Sequence, residues 1–271
     1  MKKWLFLSLL LLLLLVACNA EEESTNDVET DPKTEEASSE VTEPASQSDT
    51  ATEDSENNEL TVNVMEQYID GLVNWKSFEM YTDLTEEYSS EELIDSEFHQ
   101  EIKYVMEPVQ VYRSAHSISF ANLHVEEYAT ATEGFRSEDM EEWMPFDDTE
   151  QALMNPIDAR MSLLNTIISS SGNVLANSFE YHHEIDAENQ QTVMNEAYMA
   201  IYGIPFDDTL ELTKVKVVVT VLKERLEKFS ITATANVEGS SDIVEIKIEE
   251  RYDRINEFTE VEVPEGVTAT Q

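Results

Sequence analysis

Apolar residues recur at every second position along much of this chain, which is the spacing of β-strands with one buried face. The runs 215–221, 229–237 and 244–248 are the most regular, and in the last of them charged residues occupy the intervening positions. Shorter alternating runs lie at 78–84, 102–106, 123–125 and 179–185. Together these runs predict an antiparallel sheet that faces water on one side.

Three other segments have apolar residues at every third or fourth position, which is the spacing of one face of an α-helix. They lie at 60–75, 156–171 and 188–202. Because the strands have one polar face, the helices are expected to cover the other face. The sequence therefore predicts the α+β class, with one large curved antiparallel sheet and about three helices on its concave face.

The second of these helices has clear signals at both ends. Asn155 is a favourable N-cap, and Pro156 suits the first helical position because its missing N–H would have no partner there. Gly172 is expected to end the helix. Its apolar stripe consists of Ile157, Met161, Leu164 and Ile168.

The chain begins with MKKWLFLSLLLLLLLVAC, in which two lysines precede an apolar stretch of fourteen residues. A helix of that length spans about 21 Å, which is short of a hydrocarbon core of roughly 30 Å. A basic start, a short apolar middle and small residues at the end are typical of a secretory signal peptide. Residues 1–17 are therefore expected to be a signal peptide.

The end of this segment, Leu15-Val16-Ala17-Cys18, resembles the lipobox of bacterial lipoproteins. The resemblance implies cleavage between Ala17 and Cys18 and a thioether-linked diacylglycerol on Cys18, which is the one cysteine of the chain. Two acyl chains suffice for stable membrane anchoring, whereas one chain binds only marginally. The implied location is the extracytoplasmic face of the cell membrane, in a Gram-positive type of bacterium.

Residues 18–59 have a composition that does not favour folding. Positions 19–59 contain fifteen acidic residues, one lysine and no aromatic residue. Such a segment cannot bury enough apolar surface to offset its loss of conformational entropy, so it is predicted to be a disordered tether. The remainder, 60–271, is expected to form a single globular domain.

The order of elements in this domain also has a resemblance. A leading helix and several strands are followed by HVEEYATATEGFRSEDMEEWMPF, by an Asn-Pro helix and by final strands that end in RINEFTEVEVPEG. This order looks like that of the uncharacterised lipoproteins of Bacillus-type bacteria. Their architecture is similar to the half-open barrel of the lipoprotein-localisation factor and of mycobacterial lipid-carrier lipoproteins. The resemblance implies an apolar concavity that holds a lipid-like ligand. Ile157, Met161, Leu164 and Ile168 are the residues expected to line it.

Charge and composition exclude several classes of function. The formal charge of −42 repels phosphate backbones, so nucleic acid is not an expected partner. A single cysteine excludes cysteine-based zinc sites, and the six scattered glycines exclude phosphate-binding loops. His182 and His183 are adjacent on a predicted strand and would point to opposite faces. We therefore predict no metal site, no cofactor and no catalytic residues.

Two functions remain open at this point. The domain either binds or carries an apolar, lipid-like ligand, or it is a non-catalytic interaction module that binds an envelope protein. A carrier requires an open apolar cavity, whereas an interaction module should be solid inside with a binding patch outside.

Overall fold

The computed structural model describes residues 71–267 apart from 119–121, 148, 178 and 223–224, together with Met65 and Ile69. All of these residues belong to one compact unit. The signal peptide, Ala17, Cys18 and the tether predicted from the sequence lie outside the described residues. Among the described helices, none is both long enough and apolar enough to cross a membrane.

The described residues form one antiparallel sheet of eleven strands. The strands are β1 Ser77–Tyr88, β2 Ser96–Met106, β3 Val109–Ile118, β4 Leu123–Thr130, β5 Gly134–Glu138, β6 Met144–Pro145, β7 Gly172–Ala176, β8 Glu180–Ile185, β9 Leu210–Leu222, β10 Arg225–Val237 and β11 Ile243–Asp253. Their order is β6-β5-β4-β3-β2-β1-β11-β10-β9-β8-β7, so β6 and β7 are the two edges. Neighbours in the sheet are also neighbours in sequence, except that β1 pairs with β11.

Three helices lie between β6 and β9 in the chain: α1 Thr149–Ala152, α2 Pro156–Ser169 and α3 Ala187–Tyr202. The Asn155 side chain accepts a hydrogen bond from the Ile157 N–H, as expected of an N-cap. Gly203 ends α3 in the left-handed conformation with φ 70°, which glycine adopts without steric penalty. Residues 71–73 are also helical, within the first helix that the sequence predicts.

The main core lies between one face of the sheet and the helices, and we call that face the inner face. Phe78, Met80 and Leu84 from β1 and Val217 and Ile231 from the β9–β10 pair are each 0% exposed. Apolar residues of α2 and α3 complete the same core. The alternating runs in the sequence thus place their apolar residues under the helices.

A second, smaller core lies on the opposite, outer face of the sheet. It contains Val105, Tyr128 and Phe135 from the β2–β5 region and Val261 from the chain after β11. The C-terminal segment 254–267 therefore covers part of the face that the sequence predicts to be wetted.

The predicted fold class is confirmed: the domain is α+β, with a single antiparallel sheet and few helices. One boundary is wrong, because α2 ends at Ser169 and Gly172 is the first residue of β7. The Ser170 N–H caps the helix by donating to the Ile167 carbonyl. The helix therefore ends before the glycine, which is available to begin a strand.

Candidate functional site

The four predicted ligand-lining residues all lie on α2, but they differ in burial. Ile157 and Leu164 are each 2% exposed and belong to the main core. Met161 and Ile168 are half-buried and pack against the margin of that core. The structure thus places all four residues in or against the main core, and their role in lining a ligand stays a prediction.

The apolar layer between helices and sheet is filled by side chains. A cavity wide enough for an acyl chain would leave surface on its lining residues that a water molecule could reach. Yet the side chains that meet in this layer are 0% exposed: Ile167 of α2, Val193 and Met194 of α3, and Val219 and Ile248 of the facing strands. At these positions the interior is packed like an ordinary protein core.

A buried ion pair joins α2 to the sheet within this layer. Arg160 donates to Glu250 Oε2 of β11 from Nε at 2.8 Å and from Nη2 at 2.5 Å. Thr82 and Tyr252 also donate to the Glu250 carboxylate, and Arg160 Nη1 donates to the Ala200 carbonyl of α3. The guanidinium therefore connects both long helices with β11.

Two cavities of the described residues lie instead on the outer face, beside the C-terminal segment. The larger, which we call the outer-face cavity, has a volume of about 490 Å³. It is lined by His124, Glu126, Ser137, Met140, Glu141, Glu142, Trp143, Glu265 and Gly266. Four carboxylates, with no lysine or arginine, therefore surround an indole ring and an exposed methionine.

The side chains of the outer-face cavity are held by specific contacts. Tyr112 donates to Glu126 Oε1 at 2.5 Å, and burial, followed by this hydrogen bond, raises the pKa of the Tyr112 hydroxyl. The buried Ser137 hydroxyl donates to the Glu141 carbonyl at 2.9 Å. Trp143 packs against the second core and lies close to Gly266. The cavity wall thus combines β4 and β5 with the β5–β6 connection and the C-terminal segment.

The second cavity, of about 420 Å³, is lined by Glu79, Lys103, Arg254, Phe258, Glu260, Val261 and Glu262. Glu79 is 5% exposed and pairs with Arg254 Nη1 at 2.9 Å. The Arg254 guanidinium also lies 5.1 Å from the centre of the Phe258 ring. These contacts fix the start of the C-terminal segment against β1.

Three of the five histidines form a row across the outer face. His99 of β2 stands opposite His116 of β3, which stands opposite His124 of β4. The hydrogen bond to Asp83 Oδ1, at 2.7 Å, raises the pKa of His99. His182 and His183 point to opposite faces of the sheet, as the sequence predicts; His182 is exposed and His183 is buried. The described part of the chain contains no cluster of three or more His, Cys, Asp or Glu arranged to hold a metal ion.

Comparisons with known proteins give structural likenesses only. No family model and no curated protein matches the chain. The chain is similar to the Mycobacterium tuberculosis lipoprotein LppX, with a TM-score of 0.43 and 12% identity over 74% of this chain and 98% of that chain. It is also similar to a LolA superfamily protein from Nitrosomonas europaea, with a TM-score of 0.24 and 8% identity over 71% and 93% of the two chains.

A third likeness is to the dehydratase domain from the CurK module of curacin polyketide synthase. Its TM-score is 0.19 and its identity is 11%, over 68% of this chain and 77% of that chain. None of these likenesses, at such scores and identities, identifies a shared activity.

Sequence reasoning missed the outer-face cavities. From the sequence, 254–266 are expected at the end of the final strands, but this placement is wrong, because β11 ends at Asp253 and the segment after it packs on the outer face. One sequence signal could have indicated these cavities: apolar residues continue after the last strand, at Phe258, Val261 and Val267. Apolar residues that persist beyond a sheet indicate a segment that packs back on it.

Proposed function

We propose that this chain is a lipid-anchored lipoprotein of the extracytoplasmic face of a bacterial cell membrane, whose domain is a non-catalytic interaction module. The lipobox supports the anchor, through diacylglyceryl-Cys18, and the acidic composition of 18–59 supports a tether. The domain at 60–271 is then held at a distance from the lipid surface, where it can reach a partner protein in the envelope.

One observation supports the interaction module above the carrier. The apolar layer between helices and sheet is filled, because the apolar side chains that α2, α3 and β9–β11 bury in it are 0–8% exposed. Both cavities described above open on the outer face. A ligand of this closed domain therefore has to bind at its surface.

The chemistry of the outer-face cavity indicates the kind of partner. Its carboxylates attract a positively charged surface, and they would repel the anionic headgroups of most bacterial lipids. Trp143 and Met140 add apolar contact, since an indole ring also binds cations through its face and methionine adapts to varied partners. A basic protein surface with one apolar side chain fits this combination.

Photo-crosslinking in living cells tests the proposal. Cells that produce the full chain are grown with a diazirine analogue of methionine and irradiated, and the crosslinked residues are identified by mass spectrometry. Met140, which is 78% exposed in the outer-face cavity, is expected to crosslink to a second polypeptide. Met154, 67% exposed elsewhere, shows how much crosslinking exposure alone produces. Equal crosslinking at Met140 and Met154 would contradict the proposed binding surface.

A carrier of an apolar ligand is the second candidate function, and the partial exposure of Met161 and Ile168 favours it. In this alternative α2 moves away from the sheet, and an acyl chain enters along the stripe that includes Ile157 and Leu164. The same crosslinking experiment separates the two functions. A crosslink from Met161 to a lipid acyl chain would support the carrier, whereas crosslinks from Met161 only to its own chain support the filled interior.

A further inference from the structure

The two edges of the sheet differ in how they are protected. β6 has only two residues and one of them is Pro145, so this edge offers little backbone for pairing with another strand. β7 has five residues, with the sequence GNVLA. It contains no charge and no proline, although 27% of the whole chain is charged. β7 therefore lacks the side chains by which proteins usually protect an exposed edge strand.

The hydrogen bonds at the two ends of the β7–β8 pair define which backbone groups are turned outward. The Asp186 N–H donates to the Ser171 carbonyl at 3.0 Å, and the Asn177 N–H donates to the Glu180 carbonyl at 2.9 Å. In an antiparallel pair the bonded residues alternate, so Asn173 and Leu175 also bond to β8. The N–H and C=O groups of Gly172, Val174 and Ala176 consequently point away from the sheet.

The side chains at and around this edge are mainly apolar or acidic. Leu175 and Phe179 are 59% and 58% exposed, so the edge presents apolar surface beside its outward backbone groups. Carboxylates lie around the strand on β8, at Glu180 and Glu184, and at the start of α3, at Asp186 and Glu188. Lys216 pairs with Glu184, and the exposed His182 contacts Glu180. The Glu188 carboxylate reaches this edge directly, since it accepts a hydrogen bond from Ser171 at 3.0 Å.

We propose that β7 is a docking edge for an extended, positively charged peptide segment of a partner protein, which adds to the sheet as a further strand. Main-chain hydrogen bonds to Gly172, Val174 and Ala176 supply the binding, and an apolar side chain packs on Leu175. Basic side chains two positions before and after it project from the same face and pair with the surrounding carboxylates.

Charge favours this occupant over two others, a second copy of the protein and the acidic segment 19–59. A second copy would bring another acidic edge and another formal charge of −42. The segment 19–59 carries fifteen acids and one lysine, so it would be repelled in the same way. This inference goes beyond the proposed function, since β7 lies at the opposite end of the sheet from the outer-face cavity.

Binding of defined peptides to the full chain in detergent tests the proposal. The probe is the alternating peptide Thr-Lys-Thr-Val-Thr-Lys-Thr, in which the valine and both lysines project from one face. Its control is the same peptide N-methylated at every residue, which has the same charge but no backbone N–H to donate. We expect the first peptide to bind at least about tenfold more tightly. We also expect it to slow amide exchange at Val174 and Ala176. Equal affinity for both peptides would mean attraction by charge alone and would overturn the proposal.

Val174→Pro is the matched protein variant, because the N–H of Val174 makes no bond to β8 and its loss leaves the ladder intact. Val174→Thr, which keeps the N–H, is the control. Val174→Pro is expected to weaken binding of the alternating peptide about tenfold, and Val174→Thr to leave it unchanged. The fully N-methylated control peptide gives the same test on the unaltered protein. Retained binding of that peptide, or a dimer of the free protein that Val174→Pro dissociates, would refute the assigned occupant.

Discussion

Loss of the buried Arg160–Glu250 pair is expected to destabilise the domain more than most single substitutions. Both side chains are nearly inaccessible, at 4% and 2% exposure, and they lie in the layer between α2 and β11. Arg160→Met removes the two guanidinium hydrogen bonds to Glu250 and one to the Ala200 carbonyl. The Glu250 carboxylate would keep the hydrogen bonds from Thr82 and Tyr252 but lose the positive charge of Arg160.

The magnitude follows from the burial of the remaining charge. Breaking a buried ion pair by removing one partner costs about 3–5 kcal/mol, because the other charge stays desolvated. In a domain of this size each 1 kcal/mol shifts the midpoint of thermal unfolding by roughly 2–4 °C, so Arg160→Met should lower it by roughly 6–20 °C. Replacing both partners with apolar residues should restore most of the stability, because no isolated charge is then buried.

Urea unfolding followed by tryptophan fluorescence measures these differences. The set consists of the unaltered chain, Arg160→Met, Glu250→Leu and the double variant, which together form a double-mutant cycle. A loss of less than about 1 kcal/mol in Arg160→Met would contradict this expectation, since such a small loss is typical of an exposed pair. A double variant as unstable as the sum of the two single variants would also contradict it.

Four further outcomes are expected. Burial lowers the pKa of His183 below its ordinary 6.5, so the unfolded chain binds a proton at this histidine more readily than the folded chain does. The contribution of neutral His183 to the free energy of unfolding is therefore complete above pH 6.5 and is lost as the pH falls. His183→Gln should therefore flatten the decline of unfolding free energy below pH 6.5, and His182→Gln, on the exposed side, should not. Met161→Trp should over-pack the helix–sheet layer and lower the free energy of unfolding by typically 1–3 kcal/mol. Unchanged stability with loss of fluorescent-lipid binding would favour the carrier instead. Cys18→Ser should abolish labelling by radioactive palmitate and release the protein from the membrane; labelling that persists would contradict the lipobox interpretation. Removal of residues 21–58 should leave the thermal midpoint of the domain unchanged, and a fall of more than ~2–4 °C would mean that the segment contributes to the fold.

The sequence alone was sufficient for the fold class and for the local structure of individual elements. Alternation over 215–221 and 229–237 predicts strands with one buried face, and the structure places the apolar residues of these runs under the helices. Asn155 and Gly203 mark a helix start and a helix end because capping depends on residues within one turn. Such signals are local, so they are readable from neighbouring positions.

Only the tertiary structure decided where the proposed binding surfaces lie. Arg160 and Glu250 are ninety residues apart, and no local pattern indicates that they meet. Strand order leaves the uncharged β7 at an edge, and the C-terminal segment folds back to make the outer-face cavities. Whether the helices leave a cavity or fill it depends on side-chain volumes summed over distant elements. Periodicity shows which face of an element is apolar, but not which element covers it or how closely.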